Sequence, residues 1–165
     1  MLTTTDRAEI AELCQRYAVL VDARELAAVG ALFADDAELV LPEPPDRLTG
    51  VRSVRGRAAI EQTLQAVLGL AATAHAVLAG AVQDGPSEVG DTASGLVTGQ
   101  AHHLAADLDG YTNTVWFLRY HDDYRRVDGH WRFSRRQLDI SWIERRPVLI
   151  PRVDAAPVAP TGEAS

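Results

Sequence analysis

Lysine is missing altogether: all 16 basic residues of this 165-residue chain are arginine. That excludes Schiff-base catalysis, which needs an amine nucleophile, and the lysine of a phosphate-binding loop. Cysteine occurs once, at Cys14, so no disulfide can form within the chain, and a reducing compartment fits. No apolar run approaches the roughly 20 residues that a membrane-spanning helix needs. Residues 1–6 show no basic segment leading into an apolar one, so no secretory signal and a cytoplasmic location are expected. Gly-x-Gly-x-x-Gly after a strand, Gly-x-Ser-x-Gly, His-x-His and His-Glu-x-x-His are all absent. Nucleotide-cofactor binding, a serine nucleophile and a zinc site therefore have no support, and neither a cofactor nor a metal is expected. The formal charge of -7 disfavours nucleic acid as a partner, because an acidic surface repels phosphates.

What is present is an ordinary globular composition, 47% apolar and 24% charged, enough to bury one core. A single domain over residues 1–152 is expected. The Ala/Pro-rich stretch 153–165 has few large apolar residues and reads as a disordered tail. Ile10, Leu13, Cys14, Tyr17 and Val21 recur at helical spacing and mark one face of a first helix. Leu26, Val29, Leu32 and Phe33 suggest a short second helix. A strand is expected at 37–41, a Pro- and Arg-rich loop at 42–55 and a third helix at 57–70. The second half reads as strands at 73–82, 92–104, 111–126 and 130–143, with turns at 84–90, 109–110 and 127–129. Helices followed by a strand meander make an α+β layout.

The last hairpin has two candidate registers. A three-residue loop with a Gly129 bulge places Leu118 opposite Leu138, Trp116 opposite Ile140 and Tyr120 opposite Arg136, which gathers one apolar face. Val115, Phe117, Trp131 and Phe133 then form a second apolar face, expected to be a subunit interface. The arginines at 125, 126, 132, 135 and 136 alternate with Asp122, Asp123 and Asp128 and read as a solvated, cross-strand-paired surface.

Four polar residues stand out. Asp22 ends the first helix, where it could cap the second helix or serve chemistry. His75 sits in an apolar strand, as a structural histidine or as a general acid or base. His102 and His103 are adjacent, so only one can face an interior, and the pattern leaves the choice even.

The order of helix, Tyr17-x4-Asp22, helix, strand, helix, His75 strand and long strands resembles the nuclear transport factor 2-like fold, also called cystatin-like. Within it the chain resembles the SnoaL-like group, which includes scytalone dehydratase, bile-acid 7α-dehydratase and polyketide cyclases. The resemblance covers residues 5–146. Its most specific part is the run Tyr124-Arg125-Arg126-Val127-Asp128-Gly129-His130-Trp131-Arg132-Phe133 followed by Leu138-Asp139-Ile140-Ser141-Trp142. It implies a cone-shaped curved antiparallel sheet wrapped around three N-terminal helices. It also implies a catalytic set of Asp22, His75 and His103, with Asp22 orienting His103. Tyr17, Trp116, Leu118, Tyr120 and Leu138 would bind substrate. Two tyrosines that polarise the carbonyl in scytalone dehydratase fall on Val21 and Leu41, so the pocket here is more apolar.

The implied activity is cofactor-independent acid/base chemistry, whether dehydration, isomerisation or cyclisation. The substrate would be a small apolar carbonyl compound such as a polyketide, steroid or terpenoid intermediate. The alternatives are a ligand-binding or dimerising module, or an accessory subunit of a ring-hydroxylating dioxygenase. The expected partners are that small substrate and a second or third copy of the chain, joined through the outer sheet face, with no nucleic acid and no membrane.

Overall fold

The computed structural model describes residues 1–86, 90–107 and 110–149; the proposed tail and parts of two expected turns lie outside these. Helix α1 spans Thr4–Asp22. It begins at a capping box, in which the Asp6 backbone N–H donates to the Thr3 hydroxyl and the Thr3 backbone N–H donates to Asp6. The same Asp6 carboxylate accepts from the Trp131 indole N–H at 3.1 Å and from Arg126, which ties the helix start to the sheet. Ile10, Leu13, Cys14, Tyr17 and Val21 are all buried, as their spacing predicts. Each fully buried side chain of this kind stabilises the fold by about 1.5–3 kcal/mol.

The short helix α2 (Leu26–Gly30) follows, then strands β1 (Phe33–Glu43) and β2 (Arg47–Arg55). The segment expected to be a loop is thus largely a strand. Its prolines, Pro42, Pro44 and Pro45, precede it, so its own residues are free to pair. Helix α3 (Arg57–Leu64) runs into a 3-10 turn over Gln65–Gly69. Strands β3 (Ala72–Asp84), β4 (Thr92–Asp107), β5 (Gly110–Val127) and β6 (His130–Val148) complete the chain. No helix among the described residues is long and apolar enough to cross a membrane.

The sheet corrects the expected architecture. It is one open six-stranded layer in the order β2-β1-β6-β5-β4-β3, with β2 and β3 as its two edges. It is mixed rather than antiparallel, because β1 runs parallel to β6, with Phe33 beside Phe133 and Leu39 beside Arg136. The sheet neither closes nor curls into a cone around the helices. Helices α1 and α3 lie against it, and α2 packs on both of them.

The β5–β6 register also differs from expectation. Val127 pairs with His130 across a two-residue loop, Asp128-Gly129, with φ of 50° and 80°. Positive φ at both positions is the tight hairpin turn that Asp-Gly favours. The ladder then slips past Ser134 and again past Ser141, leaving Tyr120 opposite Leu138, Leu118 opposite Ile140 and Phe117 opposite Trp142. One extra residue reverses which way the following side chains point. Trp131 and Phe133 therefore join Leu138 and Ile140 in the buried set, and they do not form an outer face. Phe133 packs on Phe33, Tyr17 and Tyr124.

Arg136 and Asp122 are the second correction. They are 1% and 2% exposed and do not belong to a solvated surface. Asp122 accepts two hydrogen bonds from Arg136, at 2.8 and 2.7 Å, and a third from the Tyr124 hydroxyl. The guanidinium carbon of Arg136 lies 4.4, 4.1 and 4.0 Å from the ring centres of Tyr17, Tyr120 and Phe133. Desolvation works against the charge, but the Asp122 carboxylate keeps Arg136 protonated far above any ordinary pH.

Candidate active site

Asp22 is the last residue of α1, and β3 is the strand packed beside that helix. The contact is specific. The His75 backbone N–H donates to Asp22 Oδ2 at 2.7 Å, and His75 Nδ1 lies 2.7 Å from Asp22 Oδ1. Asp22 does not cap α2, whose first turn has no side-chain cap. Desolvation raises its carboxyl pKa, yet the two hydrogen bonds from His75, with the Thr73 hydroxyl and the charge of His75 behind them, together hold it below the usual range. An ionised carboxylate can only accept, so Nδ1 carries the proton and Nε2 is left as the basic nitrogen of the neutral ring.

The expected partner of Asp22 was His103, and the structure places His75 there. Register explains this. Thr73 pairs with His103 and His75 with Ala101, so the two histidines are diagonal neighbours on one face. His75, not His103, lies level with the end of α1. Between β3 and β4, a Cβ on Gly99 would meet the Ala76 carbonyl oxygen at 2.6 Å, so glycine allows this close strand approach beside His75.

The ring of His103 meets His75 edge-on at 5.9 Å and lies 4.4 Å from Trp116. Its Nδ1 is buried and without a hydrogen-bond partner among the described residues. Burial first, and the nearby charge of His75 second, lower its pKa to about 4. His102 points to the opposite sheet face, where its Nδ1 lies 3.0 Å from the Asn113 side-chain nitrogen. Sequence alternation could say that the two differ but not which one turns inward.

The depressed His103 pKa predicts a pH-dependent stability. The fold favours the neutral ring, so this contribution is complete above pH 6.5, the unfolded value, and is lost as pH falls toward about 4. The loss is on the order of 2–3 kcal/mol. Urea unfolding between pH 7 and pH 4 should show it in the native protein, and His103→Gln should flatten that part of the curve.

Both histidines line a cavity of about 440 Å³ between the helices and the sheet. All five residues expected to bind substrate, Tyr17, Trp116, Leu118, Tyr120 and Leu138, also line it. Val21 and Leu41 are there too and make their part of the lining apolar. Arg52, Thr63 and Thr114 complete the polar lining, and sequence reasoning passed them over. Arg52 gave no signal beyond being polar in an expected loop, and Thr63 stands three residues after Ile60 on the expected third helix, where its place beside the apolar face was the one available signal. No group of three or more His, Cys, Asp or Glu among the described residues is arranged to hold a metal.

The comparisons agree with this architecture. The profile of the SnoaL-like domain matches residues 3–137. No curated protein matches the sequence. Among solved structures the chain is similar to a candidate scytalone dehydratase from Novosphingobium aromaticivorans, with 22% identity, 91% of this chain and 96% of that one covered, and a TM-score of 0.71. It is similar to a candidate aromatic ring hydroxylase from the same species, with 25% identity, 88% and 96% covered, and a TM-score of 0.73. It is similar also to the type 3 hexachlorocyclohexane dehydrochlorinase of Novosphingobium barchaimii, with 19% identity, 86% and 90% covered, and a TM-score of 0.69. The likeness to these structures is one of fold.

Proposed function

The chain belongs to the SnoaL-like domain family, which holds enzymes and non-enzymes, and we propose that it is one of the enzymes: a cofactor-independent acid/base catalyst acting on a small, largely apolar carbonyl compound. One observation carries the reading. A histidine whose ring is fixed by a partly buried carboxylate opens onto an apolar cavity of about 440 Å³. Such a pair is what proton abstraction beside a carbonyl requires.

In this reading Nε2 of His75 takes the proton from the carbon next to the carbonyl, and Asp22 stabilises the imidazolium that forms. His103, neutral above pH about 4, acts as a hydrogen-bond donor to the enolate oxygen and not as a cationic acid. A hydroxyl on the next carbon then departs as the enolate collapses. It leaves as water with the proton that His75 returns. With no leaving group, return of that proton to another carbon is isomerisation. Attack of the enolate carbon on a second carbonyl is cyclisation. Trp116, Leu118, Tyr120 and Leu138 would hold the apolar body, and Tyr17 would pack beside them. The outer sheet face, with Phe117 stacked 4.3 Å from a 52%-exposed Trp142, would join the chain to one or two further copies.

The test uses chelator-treated protein and a bicyclic β-hydroxy ketone sized to the cavity, with product followed by mass spectrometry. The expected result is loss of one water without any added cofactor. Conversion that is absent from the native protein, or unchanged in His75→Ala, would sink the reading. The likeness to a candidate aromatic ring hydroxylase supports a second reading, an accessory subunit of a ring-hydroxylating dioxygenase. That reading requires a stable iron-containing partner to co-purify from the native host.

A further inference from the structure

We infer that the substrate carries an anionic group, a carboxylate in the simplest case, and that Arg52 binds it at the rim of the cavity. The inference rests on reading this cavity as the reaction site, and it adds a substrate class to that reading. Three observations lead to it. Arg52 is the one fixed charge in the lining, which contains no carboxylate side chain among the described residues. Its cross-strand partner on β1 is Leu41, itself a lining residue, so the register offers Arg52 no acid. The Arg52 side chain makes no hydrogen bond or ion pair among the described residues. Glu43, two residues past Leu41 on β1, stands opposite Arg47 and makes no ion pair with Arg52 among the described residues, while Glu38 takes Arg55 and Arg135, and Asp139 takes the Gly50 N–H, Gln137 and His121.

The physical argument is one of contrast. The protein as a whole is acidic, at -7, and would repel an anionic ligand from most of its surface. A guanidinium left unpaired beside an apolar wall reverses that field locally. It also offers a planar donor fork that matches a carboxylate. Arg52 is itself exposed, on edge strand β2, so the charged end of a ligand would stay at the mouth while its apolar body reached inward. Keeping the anion in partial contact with water avoids the cost of burying it. A ligand that is apolar at one end and acidic at the other is thereby oriented before any chemistry begins, and a neutral ketone is not.

The experiment compares two probes of equal apolar size, naphthoate and naphthyl methyl ketone. Binding is read by quenching of tryptophan fluorescence in the native protein and in Arg52→Gln. An exposed side chain with no partners can be replaced without unfolding the domain. The native protein is expected to bind naphthoate more tightly than the ketone. Arg52→Gln should weaken naphthoate roughly three- to tenfold while leaving the ketone within about twofold. Raising the salt concentration should weaken only the naphthoate complex of the native protein. If naphthoate binds Arg52→Gln as well as it binds the native protein while the ketone still binds both, the Arg52 assignment is overturned and the cavity reading stands. If neither probe binds the native protein, the cavity reading fails and the anion site falls with it.

Discussion

Asp22→Asn and His75→Ala should each lower turnover by about 10³- to 10⁴-fold and leave the fold intact. The two variants act on one device at different points. His75→Ala removes the base. Asp22→Asn keeps a side chain of the same shape, but its amide can donate as well as accept, so it no longer enforces a proton on Nδ1 or stabilises the imidazolium. Because the histidine and the carboxylate work as a unit, the double variant should be little worse than either single one. Circular dichroism and the urea midpoint check the fold. Asp22 is also bonded to the His75 backbone, at 2.7 Å, so its replacement is expected to cost some stability as well. A drop in rate that merely tracked loss of folded protein would point to a structural role. His103→Leu makes a useful contrast. It removes a hydrogen-bond donor and not the base, so a smaller loss of about 10²- to 10³-fold is expected.

The largest effect on stability is expected at a residue with no part in the chemistry. Asp122→Ala leaves Arg136 charged, 1% exposed and without the one carboxylate that pairs with it among the described residues. Stranding a buried charge in this way costs about 3–5 kcal/mol, a large share of the total for a domain of this size. Tyr124 would lose its acceptor as well. Chemical unfolding should show the whole loss. The double variant Asp122→Leu, Arg136→Met should recover most of it, because an apolar pair of similar volume incurs no desolvation cost. The recovered stability should not restore full activity. Tyr17 and Tyr120 line the cavity and rest their rings on the Arg136 guanidinium, which positions them. If Asp122→Ala unfolds within about 1 kcal/mol of the native protein, the pair is not the keystone described above.

The sequence made some of this legible and hid the rest for identifiable reasons. The apolar face of α1 could be read from its 3.6-residue period because nothing interrupts it, and every residue named from that period is buried. The five expected substrate contacts line one cavity because four of them lie on strands with simple alternation near the middle of the sheet. The β5–β6 register differs because the expected reading places its one bulge in the turn, at Gly129, whereas the turn is tight and the bulges lie within β6. The slips at Ser134 and Ser141 leave no mark in the hydrophobic pattern. The same slip turned Trp131 and Phe133 inward. Arg136 looked solvated because it stands among other arginines, and only the register shows that its side of the sheet is the helix side. The partner of Asp22 depended on how α1 is set along β3, which no local pattern encodes. The cone shape came from resemblance alone, and the open mixed sheet replaces it.

The central claim is that the Asp22–His75 pair removes a proton from carbon beside a carbonyl inside the cavity. Hydrogen–deuterium exchange reports that step whether or not a leaving group follows. Chelator-treated protein in D₂O, given β-tetralone and followed by proton NMR, should exchange the protons next to the carbonyl well above the buffer rate. His75→Ala should bind the same ketone, by tryptophan quenching, and exchange it at the buffer rate. Equal exchange in the two proteins, or tight binding by the native protein with no exchange above buffer, would contradict the claim and leave the fold as a binding module.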